Sequence, residues 1–193
     1  MEHAYTEEKT FQNTNYTQNP LTKGEYECCS FINCDFSNSD LAETIFVECV
    51  FEGCNLSMAR LIMTAFRDIK FRNCKLLGLH FENCNKFGLT VNFENCNLNH
   101  SSFYQLKLKK TTFKNLKLHE VDFSGCDLSN SVFDNCDLTK ATFENTIIEK
   151  ADFRTSFNYS IDPEINRIKK AKFSLGGVTG LLYKYDIEID INF

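Results

Sequence analysis

From Phe93 to Phe153 every fifth residue is Phe or a large aliphatic: Phe93, Leu98, Phe103, Leu108, Phe113, Leu118, Phe123, Leu128, Phe133, Leu138, Phe143, Ile148 and Phe153. Two residues before most of these sits a smaller one, such as Cys96, Ser101, Thr111, Val121, Cys126, Ser131, Cys136, Ala141, Thr146 or Ala151. A five-residue period belongs neither to an α-helix nor to a long strand. Fixed-period self-similarity implies a repeat architecture. Within each repeat, apolar–polar–apolar over three residues is strand alternation, so the outer two side chains point the same way. The remaining two residues are polar or small and suit a corner. Each repeat is therefore a short extended bridge plus a turn, and four repeats close a square coil of twenty residues.

Such a coil stacks residue n on residue n+20, and residue type follows that spacing. The first side reads Phe11, Phe31, Phe51, Phe71, Phe93, Phe113, Phe133, Phe153 and Phe173, once two extra residues are allowed between Phe81 and Phe93. The second reads Tyr16, Phe36, Leu56, Leu76, Leu98, Leu118 and Leu138; the third Leu21, Leu41, Leu61, Phe81, Phe103, Phe123 and Phe143. The fourth reads Tyr26, Phe46, Phe66, a break, then Leu108, Leu128 and Ile148. Coils roughly 4.8 Å apart make a rod on the order of 35–40 Å long. Its core is a Phe/Leu spine, with stability close to a sum over neighbouring coils.

Over residues 11–157 this pattern resembles the pentapeptide-repeat family, whose consensus is A-(D/N)-L-x-x with Phe often in place of Leu. The resemblance implies an all-β fold, a right-handed quadrilateral parallel β-helix. The chain is expected to divide into a ragged N-terminal capping coil (1–26), the β-helix (27–157) and a C-terminal turn, last coil side, short helix and strand (158–193). In the first segment Lys9, Thr14, Asn19 and Gly24 replace the small apolar partners. Asn33, Asn73, Asn95, Asn115 and Asn135 are expected to stack at one corner, with Gly53 filling the gap, because Asn tolerates left-handed backbone.

Ten cysteines invite a disulfide or metal reading. Nine of them, all but Cys28, fall at the small inward position, where they alternate with Ala, Ser, Thr and Val. Free thiols acting as small apolar fillers explain this. No Cys/His ligand spacing occurs, and His3, His80, His100 and His119 are scattered. No nucleotide, nucleophile or metalloprotease motif is found. The expectation is a non-enzymatic protein without cofactor or metal. The start, Met1–Thr10, lacks an apolar run, so a reduced, cytoplasmic location is expected. No stretch approaches the roughly 18 apolar residues of a membrane span.

Net charge is −5, unevenly spread. Residues 1–60 hold 10 acidic and 3 basic groups, residues 61–120 hold 4 and 10, and residues 121–193 hold 12 and 8. These become bands along the rod. Asp122, Asp127, Asp134, Asp137 and Asp152 are the candidate partner-binding carboxylates. At the break, the phase puts Lys86 at a core position with Phe87 beside it; this is either a tolerated corner insertion or a contact loop. The period lapses again over Arg154–Lys170, and Phe173 returns in phase. Ser174 is placed to cap a short helix carrying Leu175, Val178, Leu181, Leu182 and Tyr185 on one face. Asp186–Phe193 alternates as a strand with Ile187, Ile189, Ile191 and Phe193 on its apolar side. This tail is read as an end plug or a dimer contact, with Leu181, Leu182, Tyr185, Ile187, Ile189 and Ile191 as candidate dimer residues.

Two stretches narrow the resemblance. The opening, Cys29-Ser30-Phe31-Ile32-Asn33-Cys34-Asp35-Phe36 through Asp40-Leu41, looks like the start of Qnr-type quinolone-resistance proteins. Ala171-Lys172-Phe173, Leu181-Leu182 and Asp186-Ile187-Glu188-Ile189 are similar to their C-terminal module. That resemblance implies a C-terminal homodimer that imitates duplex DNA, binds DNA gyrase and topoisomerase IV rather than nucleic acid, and shields them from quinolones. The basic belt, including Lys107, Lys109, Lys110, Lys114 and Lys117, departs from uniform DNA mimicry. The other reading is a scaffold for an unidentified protein partner.

Overall fold

The structure, a computed structural model, describes residues 4–190. A five-residue side leaves room only for strands of three or four residues, and these are centred on the inward large residue, as in Ser30–Ile32 about Phe31, running one residue past the expected apolar–polar–apolar triplet. Thr10–Gln12, Ser30–Ile32, Val50–Glu52, Ile69–Arg72, Val91–Glu94, Thr112–Lys114 and Val132–Asp134 form a seven-stranded parallel sheet on the first side. Ala4–Glu7, Gly24–Glu27, Ile45–Val47 and Ala65–Arg67 form a four-stranded one on the fourth. The other sides hold single parallel bridges, such as Asp35↔Asn55 and Ser102↔Asp122. The result is the β-solenoid expected from the repeat. Register confirms the twenty-residue coil: Phe31 pairs with Phe51, Phe113 with Phe133, and across the two-residue insertion Phe71 with Phe93.

The inward residues build the spine. Along the first side, successive Phe rings from Phe11 to Phe173 stack at 4.5–5.9 Å with planes 8–24° apart. Third-side rings stack likewise, Phe81 on Phe103 at 4.7 Å. The two columns meet edge to face, Phe113 on Phe123 at 84°. Both geometries suit the ring quadrupole. Burying each Phe or Leu contributes roughly 1.5–3 kcal/mol.

The smaller inward residue does more than fill space. Its side chain donates to the carbonyl 23 residues earlier: Cys49 Sγ to Tyr26 O (3.2 Å), Cys74 Sγ to Phe51 O (3.3 Å), Ser131 Oγ to Leu108 O (2.8 Å), Thr146 Oγ1 to Phe123 O (2.9 Å). Cys, Ser and Thr interchange here because each is a compact donor. Asn166 Nδ2 fills the same role toward Phe143 O (2.8 Å) in the last coil.

The polar residue between the inward pair holds the turn after it. Asp35, Asp40, Asn55 and Asn97 each accept the backbone N–H two residues on, the Asx-turn geometry. The corner residue that follows is left-handed, and Asn dominates one such column: Asn115 Nδ2 donates to Asn95 Oδ1, and Asn135 to Asn115, both at 2.9 Å. Gly53 sits in that column at φ 64° because a Cβ there would run into Asn33 Oδ1.

Both ends go beyond the sequence expectation. Thr6 pairs with Tyr26, so coil pairing begins at Ala4 and Thr6 extends the fourth column backward. At the other end Phe157, Arg167 and Lys172 still pair with Asp137, Ile147 and Asp152; the third side makes no such bridge among the described residues, and Tyr159, not Asn158, is buried after Phe157, with Ile161 buried beyond it. The expected short helix is two 3-10 turns, Gly176–Leu181 and Tyr183–Tyr185, preceded by Ser174, whose Oγ accepts Gly177 N–H at 3.1 Å. The tight winding follows from the glycines: Gly180 lies against the Tyr159 carbonyl, where a Cβ would collide, and its own carbonyl accepts Ile161 N–H. The strand expected from Asp186 onward does not form among the described residues. Asp186 turns left-handed at φ 49°, and residues 187–189 are not in a strand.

Candidate functional site

The five candidate aspartates do not share a face. Asp122 lies on the third side, Asp127 on the fourth, Asp137 on the second, Asp152 on the first, and Asp134 at the corner leaving the first. Four of them hold their own turns. Asp122 accepts Ser124 N–H (2.8 Å), Asp127 the N–H and Oγ of Ser129 (3.1 and 2.6 Å), Asp137 those of Thr139 (3.2 and 2.6 Å), and Asp152 Arg154 N–H (3.2 Å). Asp134 accepts Thr155 Oγ1 at 3.0 Å. Two also pair with cationic side chains, Asp127 with Lys109 (3.0 Å) and Asp152 with Arg154 (2.8 Å) and Lys172 (3.6 Å), while Asp137 lies 2.8 Å from His119 Nε2. Partial burial pushes the Asp137 carboxyl up, but hydrogen bonds from Thr139, Asn158 and His119 outweigh it and hold it at about 2.

The unneutralised charge lies elsewhere. On the fourth side, the N-terminal levels present Glu7, Glu8, Glu25, Glu27, Glu48 and Asp68, and no described cation forms a salt bridge with any of them. Tyr5 O–H donates to Glu27 at 2.6 Å. Beyond the break, the same side presents Lys107, Lys109, Lys110, Lys150, Arg167, Lys169 and Lys170, all exposed. Only Asp127 and Glu149 oppose them, paired with Lys109 and Arg167. Sequence bands signalled the excess charge; stacking at n+20 is what gathers it on one side. By contrast, the corner leaving the first side alternates in sign, Glu52, Arg72, Glu94, Lys114, Asp134, Arg154, with Glu94 bridging Lys114 (2.8 Å) and Arg72 (3.9 Å).

At the break the chain bulges. The phase assigns Lys86 inward, yet Lys86 is exposed and Leu89 packs against the core instead, because burying an unpaired ammonium is far costlier than shifting the inward turn by three residues. Asn85 Oδ1 accepts Phe87 N–H. Phe87 projects, 78% exposed, with the Arg67 guanidinium 5.7 Å from its ring centre.

The candidate dimer residues divide. Leu181 packs against the core. Leu182 is half-buried, and Tyr185 donates its O–H to Glu164 at 2.8 Å. Ile187 and Ile189 stay 56% and 41% exposed. With Phe157, Tyr159, Leu182 and Tyr183 they line an open cleft of about 1200 Å³. Ile191 lies outside the described residues. The nine inward thiols are buried and Cys28 is exposed; all ten are free. No helix among the described residues is long and apolar enough to cross a membrane.

The sequence matches the family described as pentapeptide repeat region over residues 24–87 and 87–157. No curated protein matches the chain. Among solved structures, QnrB1, a plasmid-mediated fluoroquinolone resistance protein, is 20% identical with a TM-score of 0.63, over 97% of this chain and 98% of that one. HetL, a pentapeptide repeat protein involved in heterocyst differentiation regulation from the cyanobacterium Nostoc sp. strain PCC 7120, is 16% identical with a TM-score of 0.66, over 90% and 87%. At these identities the likeness is one of fold.

Proposed function

We propose that this chain, which belongs to the pentapeptide-repeat family, is a non-catalytic protein-binding rod of the Qnr type that engages type II topoisomerase and protects it from quinolones. The observation that carries the proposal is the acidic part of the fourth side, Glu7, Glu8, Glu25, Glu27 and Glu48, stacked on a rigid scaffold without ion-pairing cations among the described residues. A regular rank of carboxylates suits a surface built to hold DNA phosphates, and complementary fields speed encounter and fix register. Asp122, Asp127, Asp134, Asp137 and Asp152 enter as a distributed negative field, since their nearer oxygens are engaged within the fold. Ile187 and Ile189, on the open cleft, are the proposed seat of a C-terminal homodimer.

The test is DNA supercoiling by purified gyrase with and without ciprofloxacin, with increasing amounts of this protein. Reduced quinolone-stabilised cleavage is expected, weakening as salt rises. Charge reversal of Glu25 and Glu27 to Lys is expected to abolish the effect and leave the fold intact. Unchanged supercoiling and unchanged cleavage at excess protein would overturn the topoisomerase reading.

A second reading, a scaffold for a different protein partner, is favoured by the alternating ladder from Glu52 to Arg154. That corner is self-neutralised, so duplex-like charge is confined to part of the rod. A partner that binds tightly while ignoring the Glu25/Glu27 reversal would support this reading.

A further inference from the structure

The fourth side is electrically bipolar, and its halves are matched. Its inward column runs Thr6, Tyr26, Phe46, Phe66, then Leu89 at the bulge, then Leu108, Leu128, Ile148 and Ile168. The bulge is thus the fifth of nine levels. Before it stand six carboxylates, Glu7, Glu8, Glu25, Glu27, Glu48 and Asp68, against one cation, Arg67. From Lys107 onward stand seven cations against two carboxylates, Asp127 and Glu149. At the midpoint Phe87 projects from the surface.

We propose that this side binds a second copy of the same chain, antiparallel, about a two-fold axis crossing the rod at the bulge. An isologous contact requires a surface complementary to itself under such an axis; here three opposite-charge pairs form in each half, against two like-charge meetings, Glu27 with Glu149 and Arg67 with Lys109. The axis sends the first level onto the ninth, the fourth onto the sixth, and the fifth onto itself, while keeping lateral position. Glu7 and Glu8 then face Lys169 and Lys170 of the second copy, Asp68 faces Lys110, and the two Phe87 rings meet at the centre. A parallel arrangement would set carboxylates against carboxylates along the whole acidic half. The contact differs from any association through the C-terminal cleft, which involves other residues, and it stands whether or not a topoisomerase is the partner. It occupies the acidic half of the side, so a protein ligand of that half must compete with it.

The experiment is light scattering on the full-length protein across ionic strength, joined to a charge swap. Exposed charges are screened over a Debye length of about 10 Å at 0.1 M salt. Particle mass is therefore expected to double at low salt relative to high salt, with self-association weakened roughly tenfold or more by the added salt. The variant carrying Lys169→Glu and Lys170→Glu is expected to lose the low-salt species, as is the variant carrying Glu7→Lys and Glu8→Lys. Mixing the two variants is expected to restore it, because both end contacts become attractive again. With Cys28→Ser removing the exposed thiol, Lys86→Cys is expected to cross-link to its own copy through a short bifunctional maleimide, which a C-terminal dimer would place far apart. A mass independent of salt, or a mixture no better associated than either variant alone, would overturn the proposal. So would failure to cross-link at position 86 in a sample that does associate.

Discussion

At the residue scale, each position in the five-residue unit has a separate physical task, and substitutions should separate them. Phe113 is fully buried between Phe93 and Phe133. Phe113→Ala should cost about 3–5 kcal/mol, and Phe113→Asp should prevent folding, since it buries a charge among rings; chemical denaturation reads both. Ser131 donates to Leu108 O, so Ser131→Ala should cost about 1 kcal/mol while Ser131→Cys costs less. The thiols follow from burial: in native protein one, Cys28, should react quickly with a thiol reagent, and all ten after unfolding. Asp137 offers a pH test. Its folded carboxyl titrates near 2, below its ordinary value of 3.8, so the stability it contributes is full above about pH 4 and is lost as pH falls toward 2. Asp137→Asn should therefore flatten the dependence of melting temperature on pH between about pH 5 and about pH 2, relative to the unsubstituted protein.

At the scale of the element, the C-terminal 3-10 turns are attached by close backbone approach. Gly180→Ala would drive a Cβ into the Tyr159 carbonyl. It should detach residues 174–190, made visible as new proteolytic cleavage there, while the thermal transition of the solenoid changes little. The inserted bulge makes a similar point. Leu89→Ala should destabilise the fold, and Lys86→Ala should not, although the five-residue phase assigns the inward place to position 86. The competing principle is the cost of burying an ammonium: the inward place moves three residues on, to Leu89, and the net insertion is two by the time Phe93 pairs with Phe71.

At the scale of the whole molecule, the rod is a ladder of equivalent levels with two unlike ends. Its start is blunted by Ala4–Glu7, whose outward residues are polar, a common defence of an edge strand. Its far end is closed by Tyr159, Ile161 and Leu181, with Ile187 and Ile189 left outside. The double substitution Ile187→Glu and Ile189→Glu should leave the melting transition in place and remove any salt-resistant dimer, as measured by light scattering. The solenoid, its columns, the Asn corner and the inward place of nine cysteines were all legible in the sequence. They depend on two translations, five residues along the chain and twenty between coils, and both are written directly into residue order. The side-chain partners of Asp127 and Asp137, the return of Leu89 to the core, the 3-10 winding against Tyr159 and the bipolar fourth side were not legible. These depend on contacts at separations outside the repeat, or on which outward side chains share a face once the insertion has been absorbed. Periodicity determines where a side chain points; only the folded coil decides what stands opposite it.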